Sequence, residues 1–207
     1  MNNQRKASGD QNGRGDRRAR IVEAASKLLA EEGYDRVTMK QVAREADVAQ
    51  GLIHYYFSGK DEILLEILMG AAGRYGEEMR RFGRSLPEGE SLAEAALART
   101  RERVEREPER YRLRYELFAL GLRKPEFLAG VGELLANSRE GIAATIERIA
   151  ERGTAPEATA DTQALAAVLL ACFDGLALQK LADPEGFDLD AAYGVLAKMA
   201  EGVVEMD

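Results

Sequence analysis

At 207 residues the chain has room for one domain or two small ones, and 45% hydrophobic with 31% charged residues suits a packed helical protein. One cysteine and one histidine exclude an internal disulfide and leave too few soft ligands for a structural zinc site. The net charge of −7 argues against a nucleic-acid partner until its distribution is read: residues 1–60 carry 11 Lys and Arg against 8 Asp and Glu, and the remainder carries 18 against 28.

Residues 1–15 are mostly Asn, Gln, Gly, Arg and Lys, which cannot bury a core; a disordered basic arm is expected there. It is either an ordinary loose terminus or an arm that reaches DNA. Much of the positive excess lies in Arg5, Lys6, Arg14, Arg17, Arg18 and Arg20. The first amphipathic helix is predicted from about Asp16 to Glu32, with Ile21, Ala25, Leu28 and Leu29 inward and Gly33 as its stop. No apolar h-region precedes it and no run of about 18 apolar residues follows, so neither a secretory signal nor a transmembrane helix is expected. A reducing cytoplasmic location is the natural expectation.

Thr38–Lys60 predicts two short helices joined by a tight turn. Thr38 is placed to N-cap the first, about Met39–Ala46, whose stripe is Met39, Val42, Ala43 and Ala46. Asp47 tolerates the left-handed backbone of a sharp turn. In the second, about Ala49–Phe57, Val48, Leu52, Ile53 and Tyr56 can point inward, leaving Gln50, Gly51, His54 and Tyr55 outward. That is the layout of a helix-turn-helix, at about 38–57, offering polar and aromatic side chains to a DNA major groove. A fourth helix is predicted from Lys60 toward Arg84, with Leu64, Ile67, Leu68 and Ala71 inward and Asp61 and Glu62 suiting its N-terminal dipole.

Beyond a break at Pro87–Ser91, helices are predicted at about Ser91–Glu107, Pro108–Leu122, Pro125–Arg152, Asp161–Ala182 and Leu189–Val204. The mixed-sign run Arg99, Arg101, Arg103, Arg106, Arg110, Arg112 and Arg114 reads as a solvated face, with Glu102–Arg106 and Arg103–Glu107 pairs at i,i+4; a contact to an anionic effector is the alternative. Cys172 reads as a small buried hydrophobe. No strand pattern appears. The chain is therefore expected to be all-α, with a helix-turn-helix DNA-binding domain over residues 16–75 and a second helical domain over 76–207.

The stretch Arg20–Leu68, RIVEAASKLLAEEGYDRVTMKQVAREADVAQGLIHYYFSGKDEILLEIL, resembles the TetR family of bacterial transcriptional regulators. Ala25, Leu28, Gly33, Thr38, Val42, Ala43, Ala46, Val48, Gly51, Ile53, Tyr56, Phe57, Lys60 and Leu64 carry the resemblance. Further on, FDGLALQKLADP at Phe173–Pro184 is similar to the choline-regulator-like branch. Three positions depart from the family's pattern: Asp47 where glycine is common, Ala49 where a capping serine is common, and Leu52 where threonine is common. Asp47 is expected to take over the missing serine's cap.

The resemblance implies that the third helix lies in a major groove while flanking residues clamp phosphates. On that reading Gln50 can pair with an adenine edge, Gly51 allows close approach, and Leu52 can touch a thymine methyl. His54, Tyr55 and Tyr56 offer ring and hydrogen-bond contacts, and Thr38, Lys40 and Lys60 reach phosphate or, for Lys40, a base edge. The implied partners are double-stranded operator DNA, an unidentified small-molecule effector and a second copy of the chain, without membrane, metal or cofactor. The aromatic group Tyr75, Phe82, Tyr111, Tyr115, Phe118 and Phe127 either lines an effector pocket or is ordinary core. Ala164, Leu165, Val168, Ala171 and Leu176 with Leu196 and Met199 either pair with a second copy or pack the monomer.

The expected function is a ligand-responsive repressor that binds a palindromic operator as a dimer, its effector moving the fourth helix. An activator of the same fold, and a helical interaction protein without DNA binding, are the alternatives. An enzyme is not expected, since the chain has no Glu-x-x-His pair, phosphate loop or nucleophile–histidine constellation.

Overall fold

The computed structural model describes residues 4–85, 92–151 and 162–204; side chains are described from Gly15 onward, except at 72, 75, 76, 79, 80, 82–85, 92, 93 and 201–204. Among the described residues the chain is all-α: α1 (Gln4–Glu32), α2 (Met39–Glu45), α3 (Gln50–Tyr56), α4 (Lys60–Ser85), α5 (Leu92–Arg106), α6 (Pro108–Arg123), α7 (Pro125–Glu151), α8 (Thr162–Ala182) and α9 (Leu189–Val204). Most boundaries fall where capping residues, Pro108, Pro125 and the apolar periodicity place them. The exception is α1, which begins at Gln4, well ahead of Asp16, so the residues after Asn3 are helical where a disordered arm was expected. An existing helix propagates with one backbone hydrogen bond per residue fixed and needs no apolar stripe to do so.

The described chain divides into two units, Met1–Gly70 with Arg112–Gly130, and Ala71–Tyr111 with Val131–Asp207. The division falls inside α4, α6 and α7. The first unit is larger than the expected 16–75 module because the end of α6 and the start of α7 pack into it. Its core is Ile21, Ala25, Leu28 and Leu29 of α1, Val42 and Ala43 of α2, Ile53 of α3, Ile63, Leu64, Ile67 and Leu68 of α4, Leu117 and Leu120 of α6, and Phe127 of α7. Gly33 ends α1 at φ 78, a left-handed conformation that a Cβ would strain. At Gly130 a Cβ would sit 3.4 Å from Leu68 Cδ1, so a small residue lets α7 approach α4 here.

In the second unit Val104, Tyr111, Val131, Leu134, Ile142 and Ala143 are buried, as are Ala166, Leu170, Phe173 and Ala177 of α8 and Leu189, Tyr193 and Leu196 of α9. The rings of Phe173 and Tyr193 stack 6.2 Å apart at 7°, joining α8 to α9. Arg101 of α5 pairs with Asp190 of α9. Cys172 is half-buried. Leu196, expected at a dimer face, is 5% exposed and belongs to this core. Its i−1 neighbour Val195 and Met199 point outward instead, at 57% and 58%.

Candidate nucleic-acid interface

The turn before α2 is fixed by its own side chains. Thr38 is extended, at φ −118 and ψ 153, and its Oγ1 accepts from Gln41 N at 3.3 Å. The Gln41 amide oxygen accepts in return from Thr38 N at 2.8 Å and from the Thr38 hydroxyl at 2.7 Å. This is a capping box, and it engages the hydroxyl hydrogen that a phosphate contact would use.

α2 and α3 are joined at Asp47, whose φ of 53 is the left-handed turn conformation that its side chain tolerates. The Asp47 carboxylate does not cap α3. The N-cap of α3 is Ala49, without a side-chain hydrogen bond, and Asp47 Oδ2 instead lies 4.0 Å from Arg20 Nη2. The same Arg20 nitrogen donates to the carbonyls of Ala46 at 2.6 Å and Asp47 at 3.3 Å. Arg20 therefore braces the turn from α1. Arg18 also has a structural role: its guanidinium pairs with Glu66 of α4 and lies 4.8 Å from the centre of the Phe57 ring.

α3 is short, and its orientation comes from the apolar residues beneath it. Ile53 is 0% and Phe57 1% exposed; burying each fully contributes about 1.5–3 kcal/mol. Helical spacing then turns Gln50, Gly51, His54 and Tyr55 to the surface, all exposed, with Leu52 and Tyr56 half-buried at the edges. Tyr55, a large ring left 63% exposed, meets Tyr56 edge-on, with centroids 5.2 Å apart. A Cβ on Gly51 would meet nothing within 4 Å, so the fold itself does not require glycine there.

Lys40 is exposed on α2, as is Arg44 one turn on, a residue not anticipated from the sequence although its i,i+4 spacing from Lys40 puts both on one face. Lys60 is placed differently from the expected phosphate clamp. Its ammonium donates to the carbonyls of Tyr34 at 2.5 Å and Val37 at 2.9 Å, and lies 3.9 Å from the centre of the Tyr34 ring. Burial holds its pKa below the ordinary lysine value. Its charge secures the loop between α1 and α2.

That loop is also held from α6, from α4 and from Lys124 between α6 and α7. Tyr34 N donates to Glu116 Oε1 at 2.7 Å, the Tyr34 hydroxyl donates to Asp61, and Lys124 Nζ donates to the Tyr34 hydroxyl at 2.9 Å and to Asp61 at 3.3 Å. The Tyr34 hydrogen bond, and then Lys124, hold the Asp61 carboxyl below its usual range; desolvation and Asp61 push the Tyr34 hydroxyl up. After α3, Glu62 accepts from Ser58 N at 2.7 Å and from its hydroxyl at 2.9 Å, fixing the turn into α4. α3 is thus a polar and aromatic ridge on a braced base.

The expected effector aromatics divide between the two units. In the first, Phe127 is 0% exposed core, and the rings of Tyr115 and Phe118 meet edge-on at 6.4 Å. In the second, Tyr111 is 7% exposed. The side chains of Tyr75 and Phe82 lie outside the described residues. Of the expected pairing face, Ala164, Val168, Ala171 and Met199 are exposed and Leu165 and Leu176 half-buried; Leu178 and Val195, not anticipated, are exposed beside them.

The family model for bacterial regulatory proteins of the tetR family matches residues 21–67, and the model for the C-terminal part of BetI-type transcriptional repressors matches residues 89–205. The HTH-type transcriptional regulator HbdR of Aromatoleum sp. (strain CIB) is 46% identical over 66 residues, which are 32% of this chain and 29% of that protein. The match thus spans less than a third of that relative's length. A transcriptional regulator from Saccharomonospora viridis in complex with choline superposes with a TM-score of 0.73 at 24% identity, covering 90% of this chain and 96% of the other. The regulator FadR from Bacillus subtilis in complex with stearoyl-CoA gives a TM-score of 0.66 at 20% identity, covering 88% and 97%. At these identities the likeness establishes the fold.

Proposed function

The chain belongs to the TetR family of bacterial regulatory proteins, with a C-terminal half of the BetI type, and we propose that it is a ligand-responsive transcriptional repressor that reads operator DNA with α3. The observation that carries this reading is the outward face of α3. Gln50, Gly51, His54 and Tyr55 are exposed together on a helix pinned by Ile53 and Phe57. A seven-residue helix with that surface has little to do in the fold but much to do in a groove. Lys40 and Arg44 supply backbone charge beside it. Lys60 acts indirectly, by holding the loop that orients α2.

One such head makes few base contacts, so the repressor works as a homodimer on a two-fold site. The outward faces of α8 and α9 support this. α8 is apolar along most of its length, yet only Ala166, Leu170, Phe173 and Ala177 of it are buried. Such a helix is long and apolar enough to cross a membrane, but Ala164, Ala167, Val168, Ala171 and Leu178 beside Val195 and Met199 suit a second copy of the same face. The repressor works where the chromosome is, in the cytoplasm. A small molecule bound in the second unit releases the operator by favouring a conformation in which α4 is displaced. The relatives are named as transcriptional regulators, and no catalysis is assigned to the chain.

The test is fluorescence anisotropy with duplexes from upstream of the chain's own gene. Wild-type protein is expected to prefer one duplex over random DNA, and Gln50→Ala to lose about 1–3 kcal/mol of that preference while binding random DNA as before. Equal losses on both would remove the base-reading role. A reporter under that duplex separates repression from activation.

A further inference from the structure

Inside the second unit two guanidinium groups converge on one carboxylate. Arg110 of α6 donates to Glu78 of α4 through two nitrogens, Nη1 to Oε1 at 3.2 Å and Nη2 to Oε2 at 2.8 Å. Arg103 of α5 brings Nη2 to 3.5 Å from the same Oε2, with its side chain only 8% exposed. Glu107, at the exposed rim, pairs with Arg110 at 3.2 Å. Arg103 was expected on a solvated face, paired with Glu107. It is instead turned inward on the side of α5 that buries Thr100 and Val104. Arginine is rarely this buried, because withdrawing its charge from water is costly unless counter-charge compensates. One fork, from Arg110, and a second guanidinium, Arg103, at a single nitrogen's reach make a place that favours anionic oxygens over cations.

We propose that Arg103 and Arg110 form a binding site for the anionic headgroup, carboxylate or phosphate, of a small-molecule effector, and that Glu78 occupies the site as an internal competitor when the ligand is absent. This deepens the ligand-responsive reading and rests on it. The three side chains come from three helices, so an anion that takes over the two guanidiniums detaches α4 from α5 and α6. α4 is the helix that begins at Lys60, beside the reading head. A quaternary ammonium would meet two like charges, and the carboxylate nearest to them is already engaged.

Calorimetric titration of the full-length chain with dodecanoate, dodecyl phosphate and dodecyltrimethylammonium, each below its micelle concentration, isolates the headgroup from a shared tail. Both anions are expected to bind, and the ammonium to bind about tenfold or more weakly than the better of them. The ratio of the two anions says which oxygen headgroup the site prefers. Arg110→Gln is expected to lower anion affinity about tenfold or more, and Arg110→Lys, which keeps the charge without the fork, to lower it less. Glu78→Gln is expected to bind the anion at least as well as wild type and to hold operator duplex more weakly with no probe present. Ammonium binding that equals or exceeds anion binding would overturn the proposal. So would undiminished anion binding by Arg110→Gln of native helical content, or no binding of either anion. Should Arg110→Gln not fold, Arg110→Lys and Glu78→Gln decide it, unchanged anion affinity in the first with weakened affinity in the second counting against the site. The titrations contain no DNA. Anion binding by a chain indifferent to all duplexes sinks the regulator reading alone, and duplex selection without anion binding sinks this site alone.

Discussion

The Arg20 guanidinium of α1 donates at 2.6 Å to the carbonyl oxygen of Ala46, the residue that closes α2. The helix-turn-helix is therefore braced from a helix that makes no part of it. Without this contact, the turn that sets α3 against α2 keeps the left-handed Asp47, the backbone hydrogen bond from Val48 N to Ala43 O at 3.0 Å and the packing of Val42 and Ile53. Arg20→Met is expected to lower stability by about 1 kcal/mol, the lower side of a charged hydrogen bond because the side chain is partly exposed. It should weaken binding to every duplex in proportion. Urea unfolding and anisotropy titrations check the two halves of that expectation; a loss confined to one base position would mean that Arg20 reads sequence.

Gly51 separates stability from function. A methyl group added there would have nothing within 4 Å, so Gly51→Ala removes a helix-disfavouring residue at no steric cost within the chain. Thermal stability should rise by about 0.5 kcal/mol while operator affinity falls. A variant that gains stability and binds its operator as before would show that α3 does not approach DNA closely at this point.

The Tyr34–Asp61–Lys124 group makes acid stability a readable quantity. Asp61 has its pKa lowered in the folded state, first by the Tyr34 hydrogen bond and further by Lys124. A depressed carboxyl pKa contributes stability that is present above the unfolded value, about 3.9, and is lost as pH falls through the lower folded value. Asp61→Asn should therefore be less stable than wild type at neutral pH, and the gap should close as pH falls below about 4. Urea midpoints followed by circular dichroism across that range give the answer; a gap independent of pH would put the loss down to packing.

Val168 is 58% exposed on α8 among small and apolar neighbours. On the proposal that α8 and α9 pair with a second copy, Val168→Glu is expected to leave a monomer and to abolish operator binding while leaving the helical content of the chain intact, since the side chain touches little of its own core. Sedimentation velocity at micromolar concentration measures it. An unaltered sedimentation coefficient would place the pairing face elsewhere.

Much of this was legible in the sequence because it is written in local periodicity. The inward Ile53 and outward Gln50, His54 and Tyr55 follow from spacing within α3, and Thr38, Gly33, Pro108 and Pro125 mark helix ends by their own backbone chemistry. The long charged side chains were not legible. Arg18, Arg20 and Lys60 counted toward a DNA-facing surplus, yet Arg18 reaches a partner 48 residues away and Lys60 carbonyls 26 and 23 residues away. Arg103 looked solvated because its i,i+4 neighbour Glu107 offered a local partner, whereas tertiary packing brought Glu78 to it. Flexible stems let such groups choose partners by fold, which no window of sequence contains. The same limit let Leu196 stand for an outward face that its neighbour Val195 presents.

On the proposed function, the exposed face of α3 selects DNA by sequence, in pairs. Enrichment of bound fragments from random duplexes by the purified full-length chain, at moderate salt and freed of co-purified small molecules, tests it most directly. The expected result is a palindromic consensus with half-sites about one helical turn or more apart, lost with Val168→Glu. Recovered fragments with no shared sequence would contradict it.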